Sequence, residues 1–315
     1  MARLTVVTPA VPTALATLVD DFLADCRARG LSIRTGQAYE HPIRREFLPW
    51  CAEQGISDPA QLTPQLVNGF ATRLLDQGGR HGALARASVR SYLRSVKVFL
   101  AWAASAEGGA ATVGATPKLP RPEKRMIDVL SRDEIQRMEN AAATERDKLI
   151  LRLLADCGLR LGELLGLRGE DIWEPKHGQF ALKVHGKGAR DRLVPLAPAL
   201  CRRLRRYLAG RHADARERVF VSLRKGADGH AAPLTESGCG QVIRLLAAEA
   251  GIDKRVYPHL LRHSYATEWL RRGGNIISLQ RILGHADLSM IAGVYQHLNT
   301  SDDFEAAMAV LMGTE

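Results

Sequence analysis

The sequence lacks the features that announce several large classes of protein. Its 315 residues hold only five cysteines, Cys26, Cys51, Cys157, Cys201 and Cys239. They are odd in number, scattered and include no Cys-x-x-Cys pair, so neither a zinc site nor a disulfide framework is supported. That usage fits a reducing cytoplasm. Long apolar runs are also missing. The stretch from Leu149 to Ala155 is interrupted by Arg152 and falls far short of the ~20 apolar residues a membrane span needs. At the N-terminus, Pro9 and Pro12 break the apolar residues that follow Met1-Ala2-Arg3, and Asp20 and Asp21 come soon after, which argues against a secretory signal. Aromatic residues make up 5 %, and there is neither an internal repeat nor a low-complexity tract. What remains is an expected soluble, cytoplasmic protein without a membrane partner.

What the chain does have is basic charge. Apolar residues make up 46 % and charged residues 25 %, an ordinary globular composition, yet the net charge is +10. The excess is shared: thirteen basic and nine acidic residues stand before position 121, and 31 and 25 after it. Most of the basic residues are Arg, whose planar fork suits phosphate oxygens. A surface of this kind attracts polyanions, nucleic acid among them.

The length suits two ordinary domains. Residues 13–104 read as four helices: Ala14 to Ala28, a second from Ser32 or Thr35 to Cys51, a third after the cap Thr63-Pro64, and a fourth from about Ala87 to Ala104. On the fourth, Val89, Leu93, Val96 and Leu100 form an apolar stripe, while Arg86, Arg90, Arg94 and Lys97 line another face. That basic face is either a phosphate-facing surface or a solvated one. Glycines and prolines between 106 and 125 mark a linker. The expected division is 1–107, linker 108–125, and 126–315. In the last segment Ser131-x-x-Glu134 is a capping box, a helix runs from Thr144 to Cys157 with Gly158 as its stop, and residues 179–196 alternate and turn as a β-hairpin. Pro258 opens a further helix that ends at Gly273-Gly274, and Gly284 closes the next.

Four segments of this second domain carry chemistry. They are Gly158-Leu-Arg160-Leu-Gly-Glu163, Gly186-Lys187-Gly188 on the hairpin turn, His259-Leu-Leu-Arg262-His-Ser-Tyr-Ala-Thr, and Leu283-Gly-His285 with Tyr295 ten residues on. Singly, each has a bland reading: an Arg–Glu pair at i, i+3 is usually a surface ion pair, and a Lys between glycines is usually only a turn. Together they meet the needs of phosphoryl transfer. Attack on a phosphodiester builds negative charge on its non-bridging oxygens, and two guanidiniums, Arg160 and Arg262, can take those oxygens as forks. A Lys whose pKa is lowered by neighbouring cations, Lys187, can protonate the departing 5′-oxygen. A phenol becomes nucleophilic once its proton is taken or its oxyanion stabilised, and His259 or His285 can assist. No Asp/Glu cluster suited to Mg²⁺ accompanies these residues, so the charge stabilisation is expected from side chains, with no cofactor and no metal.

In this order, G-L-R-x-x-E-L, G-K-G before a returning strand, H-x-L-R-H-S-x-A-T, and L-G-H followed by Tyr, the segments resemble the tyrosine recombinases, or phage-integrase family, most of all its Xer-like branch. The resemblance implies a mainly α (α+β) fold. A helical SAM-like core-binding domain would be joined by a linker to a mostly helical catalytic domain with a small antiparallel β-sheet. It also implies an active site of Arg160, Lys187, His259, Arg262 and His285 around a scissile phosphate. Tyr295 is then the nucleophile that forms a 3′-phosphotyrosine and frees a 5′-hydroxyl, with Glu163 in support. The implied partners are double-stranded DNA recombination sites and three further copies in a tetrameric synapse that works through a Holliday junction, with a partner recombinase or accessory protein as a further option, in a nucleoid-associated setting. The apolar face Phe304, Ala307, Met308 and Leu311 would pack on a neighbouring protomer or fold back on its own domain. In one respect the chain departs from the pattern: the family usually spaces histidine and tyrosine by nine residues, and here the interval is ten. The extra residue is expected near Gly293, and Tyr265 is the nearby rival phenol. A DNA-bridging protein without catalysis and a type IB topoisomerase are the alternatives.

Overall fold

A computed structural model of the chain describes residues 14–80, 82–105, 117–120, 128–186, 191–225 and 231–284. Two compact units, divided between Arg125 and Met126, each enclose their own hydrophobic core.

The first unit is helical. Helix α1 spans Ala14–Ala28 and buries Leu15, Val19, Phe22, Leu23 and Cys26 at helical spacing. The second expected helix proves to be composite: α2 (Ile33–Pro42) runs through a π-helical stretch, Ile43–Phe47, into α3 (Leu48–Glu53). Prolines explain its irregularity. Pro42 has no N–H to give the Ala38 carbonyl one turn back, and the buried Ser95 hydroxyl donates to that oxygen instead, at 3.1 Å. At the π stretch, the Leu48 N–H reaches the Ile43 carbonyl. Helix α4 (Pro64–Asp76) starts at Thr63, whose hydroxyl accepts the Leu66 N–H, as its sequence indicates. Helix α5 (Arg86–Ala103) buries Val89, Leu93, Val96 and Leu100. Of its basic face, Arg86, Arg94 and Lys97 are exposed, whereas Arg90 donates to the Pro120 carbonyl at 2.6 Å. Residues 117–120, expected to be part of a plain extended linker, therefore dock on this unit: Pro117 is buried and Leu119 packs against its core.

The second unit opens with α6 (Arg132–Ala141), where the Ser131–Glu134 capping box forms in both directions. Helix α7 (Glu145–Cys157) is the central rod, with eight buried residues, and it stops at Gly158 with φ +61°. Short α8 (Leu161–Gly166) follows. Instead of a bare hairpin there is a three-stranded antiparallel sheet in the order β1 (Ile172–Lys176), β2 (Gln179–Val184), β3 (Arg192–Leu196). The β2–β3 register pairs Phe180 with Leu196, Leu182 with Val194 and Val184 with Arg192. Helix α9 (Pro198–Gly210), a second antiparallel pair β4 (Val221–Lys225) and β5 (Ala231–Pro233), and helices α10 (Glu236–Glu249), α11 (Pro258–Arg271) and α12 (Ile276–Leu283) complete the described part. All five cysteines are free and buried. Among the described residues, no helix is long and apolar enough to cross a membrane, and no group of metal-ligating side chains is found.

Candidate active site

Three of the four sequence segments meet at the C-terminal end of α12. That helix ends at Leu283 and turns at Gly284 with φ +63°, leaving its last carbonyls without helical partners. Three guanidiniums take them in succession. Arg192 Nε donates to the Ile282 carbonyl at 2.6 Å, Arg262 Nη2 to Leu283 at 2.6 Å, and Arg160 Nη2 to Gly284 at 2.9 Å. Cations at a helix C-terminus also face the negative end of its dipole. The two glycines are required by contact as well as by φ. A Cβ on Gly158 would stand 2.5 Å from Tyr265 Cδ1, and one on Gly284 3.0 Å from Arg192 Cδ.

One carboxylate ties the arginines together. Glu163 lies one turn into α8, with its side chain 8 % exposed. Its Oε1 accepts from Arg160 Nη1 and Arg192 Nη1, both at 2.8 Å, and its Oε2 accepts from Arg192 Nη2 and the Arg160 backbone N–H, also at 2.8 Å. Arg262 Nη1 stands 4.0 Å from Oε2. Burial pushes the Glu163 carboxyl up, but the Arg192 fork and the Arg160 N–H groups outweigh it and hold the group below the usual carboxylate range.

Arg160 and Arg262 differ in access. The Arg160 side chain is 42 % exposed, whereas that of Arg262 is 3 % exposed. Arg262 Nη1 also donates to the Gly158 carbonyl at 2.6 Å. Burial, then the charge of Arg160, push its guanidinium down to about 9, with Glu163 opposing them, so it remains a cation at neutral pH. His259, three residues earlier on α11, is exposed. Partial desolvation of the ring, then the charges of Arg262 and Arg160, lower its pKa below the ordinary value. Tyr265 packs beside Trp269, with ring centroids 6.1 Å apart, and burial pushes its phenol up to about 12. That environment suits packing and disfavours ionisation.

The structure thus brings Arg160, Glu163 and Arg262 into direct contact or near contact and sets His259 on the same helix as Arg262. Lys187, His285 and Tyr295 lie outside the described residues, as does the C-terminal apolar face. Arg192 was not anticipated from the sequence. Its signal is phase: on β3 it stands two and four residues before the buried Val194 and Leu196, so the strand's alternation aims it inward. An Arg in an inward position calls for a buried acid, and Glu163 is that acid.

Beyond the site, the β2–β3 turn is tied at its base. His185 Nε2 lies 3.1 Å from Asp171 Oδ1, and Nδ1 lies 3.1 Å from Asp191 Oδ2. Hydrogen bonding to Asp171 and then to Asp191 raises the imidazole pKa.

Comparison with known proteins agrees with this arrangement. Residues 128–302 match the phage integrase family, and residues 19–108 match the phage integrase N-terminal SAM-like domain. Tyrosine recombinase XerD of Bifidobacterium longum is 32 % identical over 287 residues, covering 86 % of this chain and 89 % of that protein. Tyrosine recombinase XerC of Xylella fastidiosa is 30 % identical over 292 residues, covering 90 % and 93 %. In fold, the chain is similar to the crystal structure of the XerH site-specific recombinase bound to palindromic difH substrate, with a TM-score of 0.69 at 18 % identity, over 92 % of this chain and 83 % of that one. The chain belongs to the phage integrase family, the tyrosine recombinases. Its class is enzymatic, and its chemistry is the cleavage and rejoining of DNA strands in site-specific recombination.

Proposed function

We propose that Tyr295 attacks the scissile phosphate of a recombination site, forming a 3′-phosphotyrosine and releasing a 5′-hydroxyl. Arg160 and Arg262 bind the non-bridging oxygens and strengthen their hold as charge builds there. Lys187 protonates the leaving 5′-oxygen, and His259 and His285 assist proton movement at the nucleophile and phosphate. His259 enters the reaction neutral at physiological pH, because its pKa is lowered, and can therefore accept a proton. Glu163 touches no substrate and holds Arg160 in place. The phosphotyrosine conserves the energy of the broken phosphodiester, so rejoining needs no nucleotide.

The observation that carries this reading is the meeting of Arg160, Arg262 and Glu163 at the end of α12, directly before His285. The first unit is assigned to gripping the DNA flanking the cut, with Arg86, Arg94 and Lys97 as phosphate contacts. Four protomers on two DNA sites, acting in pairs through a Holliday junction, form the assembly, with Xer-like or mobile-element recombination as the biological setting and the nucleoid as its place. A second reading, a protein that bridges sites without cutting, is motivated by the ten-residue interval from His285 to Tyr295.

The test is a nicked suicide duplex carrying the candidate native site, with Tyr295→Phe and Arg262→Ala alongside. A protein–DNA adduct that resists denaturation, is lost in Tyr295→Phe and falls at least ~100-fold in Arg262→Ala is expected. Tight binding with no adduct, together with a Tyr295→Phe variant that behaves as wild type in vivo, would favour the bridging reading.

A further inference from the structure

We infer that Arg192 is a positioning residue of the cleavage reaction, acting through Glu163 and the end of α12 and never touching DNA; this rests on the function proposed above. The strand places it. Val184 and Arg192 are register partners at the turn end of β2–β3, and Arg192 shares its face with the core residues Val194 and Leu196. Its side chain is 11 % exposed, so a substrate phosphate does not reach it as it reaches Arg160.

Its contacts join three separate parts of the site. Nη1 and Nη2 grip both oxygens of Glu163 at 2.8 Å, and Nε holds the Ile282 carbonyl at 2.6 Å. One guanidinium therefore fixes β3, the strand returning from the Lys187 turn, to the α8 start that carries Arg160 and to the α12 end that precedes His285. The planar fork is needed for this, because an ammonium offers no parallel pair of N–H bonds.

Charge gives the second argument. Glu163 is a buried anion among Arg160, Arg192 and Arg262. Arg192 meets both of its oxygens through the guanidinium, whereas Arg160 meets one through its side chain and the other through its backbone N–H. Arg192 is also the less able of the two to turn outward, being 11 % exposed against 42 %. Paired with Arg192, Glu163 is neutralised from within, and the positive charge of Arg160 and Arg262 is left for the phosphate. Without Arg192, the carboxylate draws Arg160 inward, and the guanidinium that must meet a non-bridging oxygen is displaced. A misplacement of about 1 Å lowers a rate by roughly 100-fold.

Arg192→Lys keeps the charge and most of the volume and is the primary variant; Arg192→Met/Glu163→Gln removes both buried charges together. Single-turnover cleavage of the suicide duplex is measured with the affinity for intact duplex and the melting temperature. Arg192→Lys is expected to bind DNA within about 3-fold of wild type and to cleave it at least 10-fold more slowly, since a side chain away from DNA alters the rate and not the binding. The double variant is expected to melt close to wild type and still cleave slowly, which a purely structural role would not give. Wild-type cleavage by a folded Arg192→Lys, or recovery of cleavage along with melting temperature in the double variant, overturns the assignment. A wild-type protein that forms no Tyr295 adduct overturns the proposed function itself, whereas an active wild type beside an unimpaired Arg192→Lys overturns only the role of Arg192.

Discussion

His259 shows how a single side chain is tuned by its neighbours. The ring sits at the surface of α11, yet desolvation and two guanidiniums hold it in the neutral form. A folded pKa below the unfolded ~6.5 means that the two states bind protons alike well above that value. As pH falls below ~6.5 the unfolded chain takes up its proton first, so this residue lowers stability on the acid side only. Substrate binding should reverse this shift, because a phosphate held by Arg160 and Arg262 adds negative charge beside the two cations that lower the ring's pKa. The imidazole resonance of His259, assigned by comparison with His259→Gln, should titrate below pH 6.5 in the free protein. With cognate duplex bound to Tyr295→Phe, it should titrate at higher pH. A midpoint unchanged by DNA would show that no phosphate lies near the two arginines.

Local signatures made many of the elements readable from sequence. Ser131 and Glu134, Thr63 and Thr144 are side chains that cap their own helices, and Gly158 and Gly284 stop theirs with positive φ; such signals are written within a few residues. The elements that escaped depend on partners distant in sequence. Strand β1 reads Ile-Trp-Glu-Pro-Lys, with Glu and Pro breaking the alternation, and it exists because β2 offers it an edge. The helical bond that Pro42 cannot give Ala38 is replaced by the hydroxyl of Ser95, 57 residues after Ala38. In the candidate site, Arg160, Glu163, His259 and Arg262 stand out in the sequence because their motifs are local, whereas the placing of Arg192 against Glu163 depends on the phase of β3 and a carboxylate 29 positions earlier. The clip at the base of the β2–β3 turn, also unseen in the sequence, carries a pH prediction. Protonated His185 donates to Asp171 and Asp191, and Lys183 stands 3.9 Å from Asp191. Its folded pKa is raised, so its stabilisation is complete below the unfolded pKa and is lost as pH rises through the folded one. The melting temperature of wild type should therefore exceed that of His185→Ala most at pH 6 and converge with it on the alkaline side. A gap that widens with rising pH would refute the clip.

The two units have cores with no residue in common, and the proposed function gives each its own task. The first presents Arg86, Arg94 and Lys97 on one face of α5, and the chain as a whole carries +10. Phosphate contacts release counterions, at roughly 0.9 in the slope of log affinity against log salt for each one. Replacing the three by Gln should weaken binding to cognate and unrelated duplex alike and flatten that slope by about 2 to 3. An unchanged slope would remove α5 from the DNA-facing surface. The second unit carries the candidate active site, and there the most direct test is the identity of the residue joined to DNA. No Lys or Arg follows Arg281, so trypsin leaves residues 282–315 as one peptide with Tyr295 as its single tyrosine, while Tyr265 falls in the separate peptide 263–271. Wild-type protein trapped on a nicked suicide duplex, digested with trypsin and nuclease and weighed by mass spectrometry, should carry a nucleotide 3′-phosphate on the 282–315 peptide alone. The same label on the 263–271 peptide, or a trapped complex with no labelled peptide at all, would contradict the assignment of Tyr295 as the nucleophile.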